Sequence, residues 1–227
     1  MNHHVSVIIP VFNGQAYLAD SLRSVASQSV SDIEIIVVDD GSTDSTFEVA
    51  RNFGDPRLRY IRQDRAGAAA ARNRGVELAN GPLLAFLDAD DVWIGDKLSL
   101  QIASLQRGDG EMIFANVEEF ITPDRLQELE GHLKLHSVSR PFIYASTLLM
   151  RRTDFQKVGP FDIQWRLGEF VGWYARAIDL GLKSAVLPQV LVRRRLHDRN
   201  TGRLDRAHRG QYTQVIKSVL DRRRVPR

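Results

Sequence analysis

Short apolar runs alternate with amphipathic stretches through the first half of the chain. Four runs predict strands, at Val5–Val11, Ile33–Val38, Arg57–Arg62 and Leu83–Leu87. The stretches between them carry apolar residues at helical spacing and predict helices at Ala16–Gln28, Ser42–Phe53 and Ala66–Ala79. Strands that alternate with helices through short links favour an α/β fold, with a Rossmann-like, mostly parallel sheet flanked by helices.

The pattern is less regular after Asp91. We expect helices at Gly95–Gln106, Glu169–Leu180 and Ala207–Arg224, and strands at Met112–Ile121, Phe142–Met150 and Val186–Leu196. The polar stretch from Thr122 to Arg140 has no clear periodicity. Because no linker or repeat divides the chain, we expect residues 1–110 and a smaller mixed region at 111–203 to be halves of one domain, followed by a basic tail at 204–227.

Composition excludes some classes of chemistry. The chain has no cysteine, so it has no disulfide, thiolate zinc site or cysteine nucleophile. No apolar stretch approaches the roughly 20 residues of a membrane span, and the start of the chain does not read as a signal peptide, so we expect a cytoplasmic protein. Residues 193–227 are rich in arginine, which is typical either of a solvated helix or of a surface that meets anionic lipid, nucleic acid or an acidic partner.

Acidic residues follow two of the predicted strands. Asp39 and Asp40 end the second strand, and Asp88, Asp90 and Asp91 follow the fourth, at the edge where an open α/β sheet binds ligands. Clustered carboxylates suit Mg²⁺ or Mn²⁺, which in turn bind phosphate oxygens, although an Asp-rich turn is the simpler alternative. A carboxylate after the second strand can also accept hydrogen bonds from a nucleobase or a ribose.

Phosphate-binding signatures of other nucleotide folds are missing. No Gly-Lys-Ser or Gly-Lys-Thr loop is present, and no G-x-G-x-x-G follows the first strand, which argues against P-loop and dinucleotide-binding proteins. The third helix instead opens with small residues and carries Arg72 and Asn73 within Gly67–Gly75. Arg72 could bind a phosphate or order the acidic cluster.

Taken in order, these segments resemble the family 2 glycosyltransferases, which have the GT-A fold. Four segments carry the resemblance: Val5–Gly14 (opening strand), Val37–Asp44 (nucleoside-binding turn), Gly67–Gly75 (G-x-x-x-A-R-N-x-G helix) and Phe86–Asp91 (D-x-D metal motif). The resemblance is dense over residues 5–110 and continues more weakly to Val158–Asp162, which is similar to a V-G-x-F-D segment.

The resemblance implies an inverting transferase that moves a sugar from a nucleotide-sugar, with a UDP-sugar favoured, to an acceptor hydroxyl. Nucleotide contacts would come from Pro10, Phe12, Asn13, Asp39, Asp40, Arg72, Asp88 and Ala89. Asp90, Asp88 and His197 would hold Mn²⁺ or Mg²⁺, which neutralises the leaving diphosphate. Arg195 and Trp173 would lie on the phosphate or acceptor side.

The second half departs from the family pattern at the expected base. Family members carry a Glu-Asp pair at a helix start, and here Phe170 stands in place of the Asp and Gly172 in place of a later acid. We expect Glu169 to act as the base, with Asp162 as the other candidate.

Two alternative functions and several classes of acceptor are also consistent with the sequence. The loss of the usual base leaves a non-catalytic nucleotide-sugar-binding module as the alternative, and a nucleotidyltransferase is a weaker one. The sequence leaves the acceptor open among a saccharide, a lipid-linked sugar and a peptide, and we expect no nucleic acid partner. The basic tail could touch the inner face of the membrane.

Overall fold

The computed structural model describes residues 4–122, 140–141, 143–197, 200 and 210–224. Its strands are β1 (Val5–Val11), β2 (Ile33–Asp39), β3 (Leu58–Arg62), β4 (Leu83–Phe86), β5 (Val92–Trp93), β6 (Met112–Phe120), β7 (Arg140–Pro141), β8 (Leu149–Arg151) and β9 (Ser184–Arg195). Its helices are α1 (Leu18–Ala26), α2 (Thr46–Phe53), α3 (Ala68–Leu78), α4 (Lys97–Arg107), α5 (Arg152–Val158), α6 (Glu169–Asp179) and α7 (Gly210–Arg224).

The described strands form one sheet, in the order β3-β2-β1-β4-β8-β6-β9-β5, with β7 paired to β6. The strands β1 to β4 are parallel to one another, whereas β8 is antiparallel to both β4 and β6. Farther along, β9 is parallel to β6 and antiparallel to β5. The predicted α/β fold is confirmed, with the regular parallel part in the first half of the chain.

Two hydrophobic layers bury opposite faces of the sheet. Along β1, Val5, Val7 and Ile9 point to the layer formed with α1 and α4, while Ile8 points to the layer formed with α3 and α6. Successive side chains of a strand point to opposite faces, so a strand that is buried on both sides needs an unbroken apolar run. Every residue of the central strands β1, β2 and β4 is buried, and the polar Ser6 and Glu34 within them are hydrogen-bonded to each other at 2.6 Å.

The helix α3 lies in close contact with β1. A Cβ atom built on Gly75 would stand 2.4 Å from Ile8 Cγ2, so only glycine permits this approach. One turn earlier in α3, Arg72 contacts Asp88 after the end of β4, whereas the neighbouring Asn73 contacts the Phe161 backbone.

The second half differs from the predicted elements in three places. The predicted strand Phe142–Met150 is confirmed only at its end, because a 3₁₀ turn occupies Ala145–Thr147 and β8 begins at Leu149. The two-residue strand β5 and the seven-residue helix α5 were not predicted. Phe142 itself and most of the unpatterned stretch Thr122–Arg140 lie outside the described residues.

The basic tail forms a helix over the part that the structure describes, namely α7. Its residues Val215 and Val219 are buried against the domain, whereas Tyr212, Ile216 and Leu220 are exposed. None of the described helices, α7 included, is both long enough and apolar enough to cross a bilayer.

Candidate active site

The acidic ends of β2 and β4 lie on either side of β1, because β1 pairs with both strands. Asp39 is fully buried and supports the turn after β2: its carboxylate accepts hydrogen bonds from the Ser42 backbone N–H at 2.7 Å and from the Tyr60 hydroxyl. The described contacts of the Asp39 carboxylate are therefore with the loop itself, whereas the sequence predicted Asp39 to contact the nucleotide.

Asp40 lies at the entrance of α3. Its carboxylate accepts hydrogen bonds from Gln63 Nε2, from the Ala66 N–H and from the Gly67 N–H, each at 2.8 Å. The carboxylate therefore ties the end of β2 to the loop that begins α3. In this arrangement three donors of the chain already engage the group that we predicted to bind a nucleobase.

The loops after β1 and β2 are joined by side-chain hydrogen bonds. Asn13 has a φ of 52°, its backbone N–H donates to Ser42 Oγ at 2.8 Å, and its Oδ1 accepts from the Thr43 N–H at 2.8 Å. Beside it, the partly exposed ring of Phe12 lies 3.9 Å below the guanidinium of Arg65. Pro10 is buried within β1. These loops form one wall of the site and expose a flat aromatic surface.

Arg72 joins two predicted site residues from distant parts of the chain. Its Nη2 donates to Asp88 Oδ1 at 2.6 Å, and its Nη1 donates to Glu169 Oε1 at 2.8 Å. Burial alone would lower the pKa of Arg72, but the two carboxylates outweigh it and raise the pKa, so the guanidinium stays charged. The Nε of Arg72 is buried and has no hydrogen-bond partner among the described residues.

Asp90 has its own set of partners from the end of the chain. Its Oδ2 lies 2.9 Å from His197 Nε2 and 3.1 Å from Asn200 Nδ2. The His197 backbone N–H donates to Asn200 Oδ1 at 2.7 Å, so the two residues form a small folded unit against Asp90. The structure thus brings the predicted metal residues Asp90 and His197 together.

Asp91 points away from the edge into the protein. It is buried, and its carboxylate accepts hydrogen bonds from the Arg195 backbone N–H at 3.1 Å and from the Tyr144 hydroxyl at 3.0 Å. Burial, followed by the neighbouring charges of Asp90 and Asp88, raises the pKa of Asp91 well above its usual value. Asp91 therefore anchors the acidic loop from below.

Arg195 is predicted to contact phosphate or acceptor, but the structure places its guanidinium under the acidic loop. Only 2% of the residue is exposed. The guanidinium donates at 2.9 Å to each of three oxygens, on the Asp90 carbonyl, Thr122 and Asp20. Every described contact of the guanidinium is therefore with other groups of the protein, and these contacts stabilise the acidic loop. Ala89, in the same loop, is held through its carbonyl oxygen by the Ser21 hydroxyl at 2.8 Å.

The donor set at this edge is compatible with a divalent cation that a substrate helps to hold. No group of three or more His, Asp or Glu side chains in the described part of the chain is arranged as a metal site. Asp88 and Asp90 nevertheless each use a single carboxylate oxygen in the hydrogen bonds above. Mg²⁺ sites commonly combine one or two carboxylates with substrate phosphates, so the two residues fit such an ion.

The departures at positions 170 and 172 have structural reasons. Phe170 is buried and packs against Phe114, Phe161 and Trp173, with ring centroids 5.9–6.3 Å apart. A Cβ atom on Gly172 would lie 3.3 Å from Val215 Cγ1 on α7. Position 170 therefore belongs to the hydrophobic core, and position 172 packs against α7.

Trp173 was predicted to lie on the phosphate or acceptor side, but the structure buries it. None of its surface is exposed, its ring stacks on Phe155, and its Nε1 donates to the Gly159 carbonyl at 2.9 Å. A ring without exposed surface has no face for an acceptor, so Trp173 belongs to the core.

Asp162, the other candidate base, lies apart from the acidic residues. Its carboxylate accepts hydrogen bonds from the backbone and side chain of Gln164. It lines an open surface cavity of about 460 Å³ together with Asn73, Val158, Pro160, Phe161, Ile163 and Arg176. The lining of this cavity includes none of Asp88, Asp90 and Glu169.

Several residues that hold the site carry no local sequence signal. Tyr144 and Ser146 reach the acidic loop from the 3₁₀ turn, since the Ser146 hydroxyl accepts from the Asp88 N–H at 3.0 Å. Gln63 supports Asp40 from the end of β3. Only Asn200 could have been found, because it ends the segment Arg195–Asn200, which contains His197 and is similar to an R-x-H-x-x-N segment of the family.

Comparisons with solved structures identify the fold. The chain aligns with S. aureus TarS 1–349 in complex with UDP-GlcNAc at a TM-score of 0.79 and 17% identity, covering 95% of this chain and 65% of that one. It also aligns with the mannosyltransferase PcManGT of Pyrobaculum calidifontis at a TM-score of 0.73 and 20% identity, covering 96% and 64%. The fold is therefore that of the GT-A class of glycosyltransferases, as predicted.

Comparisons with protein sequences identify the family. The family model for glycosyl transferase family 2 matches residues 6–162, and the chain belongs to this family. An uncharacterised glycosyltransferase of Rickettsia typhi is 31% identical over 87% of this chain and 65% of its own length. The Escherichia coli UDP-Glc:alpha-D-GlcNAc-diphosphoundecaprenol beta-1,3-glucosyltransferase WfgD is 33% identical over 54% and 52%. The chain thus spans between half and two thirds of these relatives.

Proposed function

We propose that this chain transfers a sugar from a nucleotide-sugar, with a UDP-sugar favoured, to an acceptor hydroxyl with inversion at the anomeric carbon. One observation carries the proposal: the single guanidinium of Arg72 contacts both Asp88 on the donor side and Glu169 on the acceptor side. The leaving-group side and the proposed base therefore lie close to each other, as a displacement at a single carbon requires.

Glu169 is the proposed general base. In the reaction it would take the proton of the acceptor hydroxyl while the hydroxyl oxygen bonds to the anomeric carbon. The bond from that carbon to the diphosphate breaks on the opposite face, and its electron pair leaves with the nucleoside diphosphate. A single displacement of this kind inverts the carbon. Arg72 holds the Glu169 carboxylate in one orientation, and Phe170 and Gly172 leave Glu169 as the acidic residue of the first turn of α6.

The donor would lie across the loops that follow β1 and β2. The Phe12 ring is partly exposed and has the Arg65 guanidinium over one face, so a planar base could stack beside this pair, with Asn13, Asp39 and Asp40 shaping the loop behind it. TarS, the structural neighbour above, was solved with UDP-GlcNAc, and WfgD is named for UDP-Glc, which supports a UDP-sugar as the donor.

Asp90, Asp88 and His197 would hold Mn²⁺ or Mg²⁺ together with the donor diphosphate. The PcManGT structure contains GDP-Man and Mn²⁺, which supports a divalent ion here. When bound, the ion supplies Lewis-acid stabilisation of the leaving diphosphate. His197 and Asn200 fix the orientation of the Asp90 carboxylate toward that position.

Replacement of Asp90 tests the donor side of the proposal. Asp90→Ala should abolish Mn²⁺-dependent release of UDP from UDP-glucose and UDP-GlcNAc and should weaken the Mn²⁺-dependent binding of UDP measured by calorimetry. Asp96→Ala, at an exposed acid in the same segment, is the matched control and should behave as wild type. Wild-type turnover by Asp90→Ala would overturn the proposal.

A non-catalytic nucleotide-sugar-binding module is the second candidate, because Phe170 and Gly172 replace the usual acids. This candidate predicts that the chain binds UDP- or GDP-sugars with Mn²⁺ but releases no UDP or GDP across a broad panel of acceptors. The transferase predicts release that depends on at least one acceptor. The same titration followed by a UDP- or GDP-detection assay therefore separates them.

The acceptor could lie at a membrane surface, and α7 supports a peripheral contact. Tyr212, Ile216 and Leu220 are spaced four residues apart and form an exposed apolar stripe, close in sequence to Lys217 and three successive arginines at 222–224. Apolar and basic residues together favour anionic bilayers. Ile216→Ser with Leu220→Ser should reduce sedimentation with phosphatidylglycerol vesicles, and equal sedimentation would exclude this contact.

A further inference from the structure

The first turn of α7 lies against the loop that leads to Glu169. The Gln211 Oε1 accepts hydrogen bonds from the backbone N–H groups of Arg166 and Leu167, each at 3.0 Å. The next residue, Gly168, has a φ of +85° and stands at the start of α6. One side-chain oxygen therefore fixes the backbone directly before the proposed base.

Side chains of α7 pack against two glycines, one directly before α6 and one within it. A Cβ atom on Gly168 would lie 3.2 Å from Tyr212 Cδ1, and one on Gly172 would lie 3.3 Å from Val215 Cγ1. Val215 has no exposed surface, so this contact is closed to solvent. Positions 168 and 172 are one helical turn apart, and together they form the seat of α7.

Glu169 is held between this seat and Arg72. Arg72 Nη1 contacts Glu169 Oε1 at 2.8 Å from α3, whereas Tyr212 packs on the backbone of the residue before Glu169. Burial, followed by the charge of Glu169, raises the pKa of Tyr212, which agrees with a neutral phenol near that carboxylate. Two elements far apart in sequence thus meet at the proposed base.

We propose that α7 positions the reaction centre through Gln211, which holds the backbone at 166–168 so that Glu169 faces the acceptor hydroxyl. The proposal rests on the function proposed above. Gln211 is a positioning residue: it acts through the backbone and makes no contact with the donor loops described here. Its loss should therefore lower the rate of transfer without weakening donor binding, since a small misplacement of a catalytic group is costly.

The chemistry of the contact provides a rescue variant. Gln211 uses only its Oε1, as an acceptor, so Gln211→Glu keeps the contact and Gln211→Ala removes it. Gln214→Ala is the matched control, because Gln214 is exposed on the same helix. Gln211→Asn shortens the reach by one methylene and gives a graded loss if the alanine variant does not fold.

The test compares kcat for UDP release from a UDP-sugar, the Kd for UDP with Mn²⁺, and hydrogen exchange at the amides of Arg166 and Leu167. We expect Gln211→Ala to lower kcat by about tenfold, with the Kd within a factor of about two of wild type and faster exchange at both amides. Gln211→Glu and Gln214→Ala should match wild type in all three measurements.

The possible failures are distinguishable. A wild-type kcat in Gln211→Ala, with its two amides exchanging freely, would overturn the positioning role and leave the proposed function intact. Equal losses in kcat and in UDP binding, or failure of Gln211→Glu to rescue, would also overturn it, because they indicate a general structural role. A wild-type protein that releases no UDP would remove the proposed function and this proposal with it.

Discussion

Arg72 is the residue on which the geometry of the site depends most. It spans Asp88 and Glu169 with two separate N–H groups of one planar guanidinium, which the point charge of a lysine cannot do. Arg72→Lys should lower kcat for UDP release by roughly 100-fold, since the base loses its orientation. Arg74→Lys, at a surface ion pair with Glu77 on the same helix, is the control and should change kcat by less than about twofold. Equal activity of the two variants would contradict the role of Arg72.

Phe170 offers a second test at the residue scale. The family pattern suggests that Phe170→Asp would restore a base, but the structure puts this position in an aromatic cluster. A carboxylate there would be buried without a partner and would leave a cavity, so unfolding free energy should fall by about 3 kcal/mol or more with no gain in kcat. Phe170→Leu should cost less stability. A gain in turnover by Phe170→Asp, measured alongside urea unfolding, would show that position 170 faces the substrate.

Sequence patterns predicted the chemical groups of the site better than their contacts. Asp88, Asp90, Arg72, Glu169 and His197 were singled out, and the structure brings them to one edge. The burial of Trp173 and the internal hydrogen bonds of Arg195 could not be predicted, because both depend on how distant elements pack. Motif positions identify residue types, whereas burial is decided by long-range contacts.

Among the elements, α3 is the one whose packing most directly positions the site. Gly75 lets it contact β1, and a methyl group there would overlap Ile8. Gly75→Ala should therefore destabilise the protein by about 1–3 kcal/mol, although alanine is the better helix former. Gly210→Ala, at an open position of α7, should be neutral or slightly stabilising in the same urea titration. A stabilised Gly75→Ala variant would contradict the packing of α3.

The elements differ in how well periodicity predicts them. Apart from β5, the strands and helices up to α4 follow the predicted order, because largely apolar runs such as Val5–Val11 are typical of strands buried on both faces. In the second half, β5 has two residues and α5 has seven, which is too short for a periodic signal. The 3₁₀ turn at Ala145–Thr147 interrupts a run that reads as a strand, because it is held by local bonds to the Tyr144 carbonyl.

At the scale of the whole molecule, one buried amine links stability to pH. Lys97 has no exposed surface; its Nζ donates to Gln101 Oε1 at 2.7 Å and lies 4.0 Å from the centre of the Trp93 ring, and no carboxylate in the described part pairs with it. Burial lowers the pKa of Lys97 well below its ordinary value of 10.5. The unfolded chain therefore binds a proton in a pH range where the folded chain keeps the amine neutral.

The sign of the dependence follows from this difference. Below pH 10.5 the unfolded state binds more protons at Lys97, so its burial costs stability, and the cost shrinks as the pH rises toward 10.5. Relative to Lys97→Met, wild-type stability should rise with pH by up to about 1.4 kcal/mol per pH unit in the range below pH 10.5 where the folded amine is neutral. Lys217→Met, at an exposed lysine, should show no such trend. Parallel stability curves for wild type and Lys97→Met would contradict a neutral Lys97.

The two halves of the domain contribute different sides of the proposed reaction. The acidic and nucleotide-binding loops come from residues before 110, whereas Glu169, His197 and α7 come from after it, and Arg72 and Asp90 make the contacts that join them. The family assignment covers the transferase class, and we expect the second half, where the chain departs from its family pattern, to select the acceptor.

The central claim is that Glu169 is the base of a sugar transfer whose donor side is intact. The most direct measurement is UDP release from UDP-GlcNAc and UDP-glucose by wild type, Glu169→Gln and Asp162→Asn, with the Kd for UDP and Mn²⁺ measured on each. Glu169→Gln should lose about 100-fold or more in kcat at an unchanged Kd, whereas Asp162→Asn should match wild type. Full turnover by Glu169→Gln, or a loss that appears only in Asp162→Asn, would contradict the claim.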